Sequence, residues 1–318
     1  MSPYSYNSSN ELTSTPVATF TYDANGSTLT KAYASGTTQY AWDFENRLSS
    51  VTLPGSGGTV TFKYDPFGRQ IQKAFAQNST TTTTNYLYDG PNSIEEVDAN
   101  GNETARYAQS PGVDTPLAGL RSATTAFYQQ DGLGLVTSLS DTTGALANTY
   151  VYDSFGNLTS TTGAFNNPFQ YTGRDYDSET GMRYYRARYY DSASGRFISE
   201  NPLGFGGGGP NFYDYTFNGS PNSVDPFGLW LRLSDLLFPP NFCPSFLPWC
   251  PGYKPKPAVK KEPPSGVCVC SRLTRFNGGW TWINHTGLSH NDQDQHQRGG
   301  PWTCCWWSTR GRSTGCYR

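Results

Sequence analysis

The sequence predicts a mainly β protein, and composition, repeat spacing and residue alternation each support this prediction. Gly, Tyr and Phe are abundant, at 34, 22 and 18 of 318 residues, and charged residues reach 15% against a usual ~25%. This composition favours strands joined by Gly, Asn and Asp turns. No apolar run approaches the roughly 18 residues of a transmembrane helix. We expect no secretory signal peptide in this sequence, because its first residues lack a basic and an apolar region.

An aromatic residue followed by Asp recurs at regular intervals, which predicts a repeat array. The six pairs are Tyr22-Asp23, Trp42-Asp43, Tyr64-Asp65, Tyr88-Asp89, Tyr152-Asp153 and Tyr176-Asp177. Their gaps are 20, 22, 24, 64 and 24 residues, and Asp131 lies within the long gap. The fullest copies read FTYDANGSTLT, FKYDPFGRQIQKAF and YVYDSFGNLTST, with alternating residues on both sides of the Asp. We expect β-hairpins whose Asp binds the N–H groups of a turn and whose Tyr packs on the neighbouring hairpin.

The composition changes sharply near Leu229. Residues 1–229 carry 12 Lys+Arg and 21 Asp+Glu, a net charge of −9, whereas residues 230–318 carry 11 and 4, a net charge of +7. All three histidines, all seven cysteines and seven of the eight tryptophans lie in the second part. Two parts that differ this much are expected to have different tasks.

The repeats resemble the YD repeats of RHS proteins, bacterial relatives of the teneurin shell and of toxin-complex C subunits. The segment that begins YTGRDYDSETGMRYYRARYYD and ends DPFGL is similar to the RHS-associated core domain. We therefore expect a YD-repeat array at residues 1–170 and an RHS-associated core domain at 171–229. A Pro-rich linker at 230–265 and a variable, irregular, Cys- and Trp-rich C-terminal segment at 266–318 should follow.

The resemblance implies a β-hairpin strip that curls into a shell, here a partial one, closed at one end by the core domain. It also implies that a variable C-terminal segment, often a toxin, is cut off between Leu229 and Trp230. An Arg and two Asp residues cut this bond in the family, and their positions correspond to Arg188, Asn201 and Asp225. An amide cannot replace a carboxylate as a general base, so we expect self-cleavage to be weak or absent.

Two of these residues also have a purely structural interpretation. Arg188 could pair with Asp191 or Asp214 inside the core domain, and Asp225 could simply stabilise a turn before Pro226. Glu200 is adjacent to the Asn and could substitute for an acid, but strand neighbours point to opposite faces. Gly206–Gly209 is interpreted as a flexible loop, because no phosphate-binding motif accompanies it.

The C-terminal segment carries weaker signals. His285, His290 and His296 lie near two Asp residues and are candidates for acid–base or metal chemistry, but they lack zinc-site spacing and are equally consistent with a solvated loop. The positive charge and the aromatic–Arg interleaving would suit nucleic acid. The cysteines suggest a disulfide scaffold, and a decayed cassette without a stable fold is also possible. No cofactor or metal is predicted.

Two functional hypotheses follow. In the first, the chain is part of a toxin carrier with a C-terminal effector, an immunity protein as partner, and missing upstream repeats or a shell-completing partner. In the second, it is a passive extracellular module that binds glycan or protein. Both place it in a bacterium, secreted or at the cell surface by a route other than the general secretory one.

Overall fold

The computed structural model describes residues 4–229 and four C-terminal segments, whose bounds are given below. The chain divides into two compact units, Met1–Pro251 and Gly252–Arg318. No helix among the described residues is long and apolar enough to cross a membrane. The predicted linker, and with it Trp230, lies outside the described residues.

Sixteen antiparallel strands form one continuous sheet in the first unit. Each strand pairs with its neighbours in the chain, so the sheet runs from β1 to β16 without a crossover and does not close on itself within residues 4–229. This arrangement confirms the predicted strip of hairpins. The strands are β1 Ser5–Tyr6, β2 Leu12–Ser14, β3 Ala18–Tyr22, β4 Thr28–Tyr33, β5 Gly36–Trp42, β6 Leu48–Thr52, β7 Thr59–Tyr64, β8 Gln70–Gln77, β9 Thr80–Asp89, β10 Asn92–Val97, β11 Glu103–Gln109, β12 Pro116–Arg121, β13 Thr124–Gln130, β14 Val136–Ser140, β15 Leu146–Tyr152 and β16 Leu158–Thr162.

One turn geometry recurs along the strip. In the β7–β8 turn, Asp65 Oδ1 accepts the N–H groups of Phe67 and Arg69, both at 2.9 Å, while Gly68 has a φ of +83°. A positive φ is strained for most residues but not for Gly. The same pair of Asp hydrogen bonds forms at Asp23, Asp43, Asp98, Asp131, Asp141 and Asp153.

The aromatic–Asp rule needs a correction at five positions. Asp98, Asp131 and Asp141 make this turn although they follow Val97, Gln130 and Ser140. Asp177 follows a Tyr but does not make the turn, and its Oδ1 instead accepts a hydrogen bond from Lys73. Asp89 does not make the turn either, because it is the last residue of β9 and pairs directly with Asn92 across a two-residue turn. The Asp and the residue three positions later define the turn, so the preceding aromatic is not needed for it.

The aromatic residue has a separate role between hairpins. Tyr64 in β7 donates its hydroxyl proton to the Leu48 carbonyl in β6, at 2.8 Å, and so ties its own hairpin to the preceding one. Equivalent bonds join Tyr88 to Gln70 and Tyr152 to Val136. The repeats predicted that each Tyr packs on the neighbouring hairpin, and these bonds join the Tyr to that hairpin.

The core segment, residues 171–229, packs against the strip. Its four-stranded sheet consists of β17 Asp175–Asp177, β18 Met182–Tyr185, β19 Arg188–Asp191 and β20 Arg196–Phe197. Every residue of β18 and β19 is buried, as expected for strands covered on both faces. The shared core contains Tyr40, Leu48, Val51, Val60 and Phe62 of the strip with Met182, Tyr184, Tyr189 and Ile198 of the core segment.

The second unit contains a small antiparallel sheet in the order β22-β21-β23-β24. Its strands are β21 Cys268–Phe276, β22 Gly279–Leu288, β23 Thr303–Trp307 and β24 Ser313–Tyr317. These regular strands differ from the irregular segment predicted from composition. The β22 sequence, GWTWINHTGL, is rich in aromatic and β-branched residues, and these favour strands.

Candidate functional site at the junction after Leu229

The DPFGL motif forms a turn that brings Asp225 back to Leu229. Asp225 Oδ1 accepts the Leu229 N–H at 3.1 Å, and both residues are buried. Burial raises the pKa of Asp225, and Arg188 together with backbone N–H groups partly offsets this effect. The carboxyl group therefore contacts the residue that directly precedes the predicted cleavage point. Its surroundings favour the protonated form more than water does.

Arg188, in β19, holds the backbone of this turn. Its Nε donates to the Gly228 carbonyl, and its Nη1 donates to the Phe212 carbonyl at 2.7 Å. The guanidinium lies 3.6 Å from the centre of the Phe197 ring, and its Nη2 lies 3.6 Å from Asp225 Oδ2. Burial lowers its pKa to about 10, so the group remains charged at neutral pH.

Asn201 binds the carbonyl group of Leu229 itself. Its side-chain Nδ2 donates to the Leu229 oxygen, while its Oδ1 accepts the Leu203 N–H at 3.0 Å. Only 8% of Asn201 is exposed. The side chain is thus fixed at both ends, and its donor polarises the carbonyl of the bond after Leu229.

The structure therefore brings Arg188, Asn201, Asp225 and Leu229 together. Asp191, one alternative partner for Arg188, instead pairs with Lys31 at 2.6 Å. The other alternative partner, Asp214, contributes a more distant charge that favours the guanidinium's protonated form. Of the three predicted histidines, His285 lies in β22, where the structure describes only the backbone, and His290 and His296 lie outside the described residues.

A cavity of about 710 Å³ opens beside the junction. Its lining includes Asn201, Leu229 and Glu200, and it also includes the turn residues Asn25 and Asn46 of the strip. Burial raises the pKa of Glu200, although this side chain is only partly buried.

Sequence patterns did not identify Arg186, which binds the backbone of the DPFGL turn. It donates to the Pro226 carbonyl within the turn, and it forms a two-pronged ion pair with Asp114 of the strip, at 2.7 and 3.0 Å. Arg174 of the core segment also pairs with Asp114. The only sequence signal was the position of Arg186 two residues before Arg188, and strand alternation does not apply because Arg186 lies in the turn between β18 and β19, with a φ of 60°.

The arrangement places a buried carboxyl and a buried cation at the Gly228–Leu229 peptide group and an amide donor at the Leu229 carbonyl. Hydrolysis by two acids needs one carboxylate to take a proton and one carboxylic acid to donate one. Asp225 is the only carboxyl group that contacts Leu229 among the described residues, and an amide occupies the other position. Within residues 4–229, no three His, Cys, Asp or Glu side chains form a group that could hold a metal.

Comparison with known proteins gives consistent matches. The family model described as Teneurin YD-shell matches residues 2–207. The tRNA3(Ser)-specific nuclease WapA of Bacillus spizizenii is 34% identical over 72% of this chain and 10% of its own length. Toxin protein Tse5 of Pseudomonas aeruginosa is 28% identical over 67% of this chain and 19% of its length. Double-stranded DNA deaminase toxin A of Burkholderia cenocepacia is 29% identical over 66% of this chain and 17% of its length.

Solved structures show the same fold at low sequence identity. The TcdB2-TccC3-Cdc42 crystal structure aligns with a TM-score of 0.50 and 17% identity, over 71% of this chain and 15% of the other. The chain therefore spans only a fifth or less of these curated relatives and of this structural neighbour.

Proposed function

The chain belongs to the Teneurin YD-shell family, and from this premise we propose that it is the C-terminal end of a toxin-carrying β-shell. In this proposal the strip and the core segment hold a variable effector that begins after Leu229. The observation that carries the proposal is the convergence of Arg188, Asn201 and Asp225 on Leu229. The change in composition falls at the same residue.

The effector in this proposal is the basic part of the chain, residues 230–318. Relatives that share the shell include proteins named as a tRNA nuclease and a DNA deaminase toxin. The net charge of +7 suits a nucleic-acid target, because cationic side chains neutralise phosphates. An immunity protein would protect the producing bacterium. Further repeats or a partner would extend the sheet at β1.

Self-cleavage after Leu229 is the proposed reaction, and Asn201 impairs it. A water molecule would add to the Leu229 carbonyl carbon, a carboxylate would take a proton from it, and a carboxylic acid would protonate the Trp230 nitrogen as the C–N bond breaks. Arg188 would stabilise the charge that develops nearby. Asp225 can serve as one of the two acids, but the Asn201 amide cannot serve as the other.

Intact-mass spectrometry of the purified chain tests this proposal. We expect the natural chain to stay whole and Asn201→Asp to split between Leu229 and Trp230. Asn201→Asp with Asp225→Asn should stay whole, because it again has a single carboxyl group. Asn222→Asp is the matched control, since it makes the same chemical change at an exposed residue of the neighbouring loop and should stay whole.

The outcomes separate the two parts of the proposal. An intact Asn201→Asp chain would contradict the self-cleavage site. Splitting of the natural chain would show that Asn201 does not impair it and that another carboxyl group, such as Glu200, acts. Expression in bacteria tests the effector: the full chain should slow growth more than the chain ended at Leu229, and equal growth would contradict the toxin role.

A further inference from the structure

We propose that Gly207 is a positioning residue of the junction site, because its missing side chain leaves the space in which residue 201 reaches the Leu229 carbonyl. The catalytic consequence of this role rests on the proposed function. The contact itself rests on geometry alone. This role would explain why one position of the Gly-rich loop, Gly206–Gly209, is occupied by a glycine.

The space around Gly207 is already filled by the site. Gly207 ends the short 3-10 helix Gly204–Gly207 and is the only buried residue of that helix. A Cβ atom at this position would lie 2.3 Å from Asn201 Nδ2, 2.8 Å from Asn201 Cγ and 3.2 Å from the Leu229 oxygen. Separations under 3 Å between such atoms are far inside van der Waals contact, so one of the groups would have to move.

The Asn201 side chain is the group that would move. It is held by the Leu203 N–H and by the Leu229 carbonyl oxygen, so a methyl group on Gly207 would displace it from both. The φ of Gly207 is not in the left-handed region, so Ala at this position meets no backbone strain. An Ala substitution therefore tests the contact without a conformational penalty.

Gly206 provides a matched control one residue away. It lies in the same 3-10 helix, has no positive φ and is exposed. A Cβ atom there would lie 3.7 Å from Leu203 Cβ, an ordinary contact. A loss of stability that arises from the flexibility of the loop would appear in both Gly206→Ala and Gly207→Ala. A loss of stability that arises from the contact with Asn201 would appear only in Gly207→Ala.

A double-mutant cycle on the full chain tests the contact independently of cleavage. We expect Gly207→Ala to lower the midpoint of thermal unfolding, and Gly206→Ala to leave it unchanged. In an Asn201→Ala background, which removes the clashing amide, Gly207→Ala should cost little or nothing. An equal loss in both backgrounds would overturn the inference, because the cost would then come from elsewhere in the loop.

Cleavage rates test the catalytic consequence. Relative to Asn201→Asp alone, we expect Gly207→Ala in the same background to slow the split after Leu229 by roughly 100-fold, as a misplacement of about 1 Å can. Gly206→Ala should leave the rate unchanged. An undiminished rate with Gly207→Ala would overturn the positioning role. If Asn201→Asp itself does not split, the proposed function fails, and the unfolding cycle alone decides the role of Gly207.

Discussion

Lys73 of the repeat strip and Asp177 of the core segment form a buried ion pair, with 2.6 Å between Nζ and Oδ1. Lys73 also contacts Glu179 at 2.8 Å. Lys31 and Asp191 form a similar pair, with 2.6 Å between Nζ and Oδ2. These contacts link strands β4 and β8 to the core segment, which also packs on the strip through apolar side chains.

The Asp177 contact predicts a pH dependence of stability. Burial raises the pKa of Asp177 to about 6, above its ordinary 3.8. The folded chain then binds this proton more tightly than the unfolded chain, so the free energy of unfolding falls as the pH rises from about 4 to about 6.

Urea unfolding of the natural chain and of Asp177→Asn between pH 4 and 7 measures this effect. The natural chain should lose stability relative to the variant across that window. Asp141→Asn is the control, because hydrogen bonds from Thr143 lower the pKa of Asp141 below its ordinary 3.8, so the Asp141 carboxyl contributes no slope within this pH window. Parallel curves for the natural chain and Asp177→Asn would contradict the prediction.

Asp114 should be among the most sensitive positions of the strip. Its carboxylate forms ion pairs with the buried guanidinium groups of Arg174 and Arg186. Asp114→Ala would leave both cations without this partner and should reduce the free energy of unfolding by about 3–5 kcal/mol. Asp89→Ala, an exposed residue in the same strip, should change it by less than about 0.5 kcal/mol. Equal effects, measured by urea unfolding, would show that Asp114 does not link the two parts.

Gly68 tests the recurring turn. Its φ is +83°, and a Cβ atom there would meet nothing within 4 Å, so Gly68→Ala should cost only the backbone strain of about 1 kcal/mol. Gly68→Asn should cost less than half of that, because Asn46 occupies the equivalent position with a φ of 58°. Urea unfolding measures both, with Gly132→Ala as a control in open space without positive φ. The turn model fails if Asn is no better tolerated than Ala.

The Tyr64 hydroxyl tests the link between hairpins. Tyr64→Phe removes the 2.8 Å bond to the Leu48 carbonyl and should lower the free energy of unfolding by roughly 1 kcal/mol. Tyr4→Phe changes the same group on a residue that is 52% exposed and should have no measurable effect. Indistinguishable unfolding curves for Tyr64→Phe and the natural chain would rule out a contribution from this bond.

The proposed cleavage reaction should depend on pH in the Asn201→Asp variant. Two neighbouring carboxyl groups share one proton, so the rate should pass through a maximum and fall on either side. The raised pKa of Asp225 should place the high-pH limb above the range of ordinary carboxyl groups. Mass spectrometry of samples incubated at pH 3 to 8 measures the rates, and a rate that only rises with pH would exclude a shared proton.

The sequence by itself determined the strip of hairpins, because spacing and alternation are local properties. The Asp that binds the N–H groups two and four residues later, and the Gly or Asn that accepts a positive φ, act within a single turn. The same local rule explains the error at Asp89, where a two-residue turn replaced the expected one. The motif positions also identified Arg188, Asn201 and Asp225, which the fold brings to Leu229.

Only the tertiary structure decided how the site is held. Asp114 and Arg186 are 72 residues apart, and Lys73 and Asp177 are 104 residues apart, so no local pattern links them. The same holds for Gly207, which appeared to be one of four equivalent loop glycines until its distance to Asn201 was known. Sequence periodicity specifies which residues share a face, whereas a contact between distant segments depends on how the strip packs on its core segment.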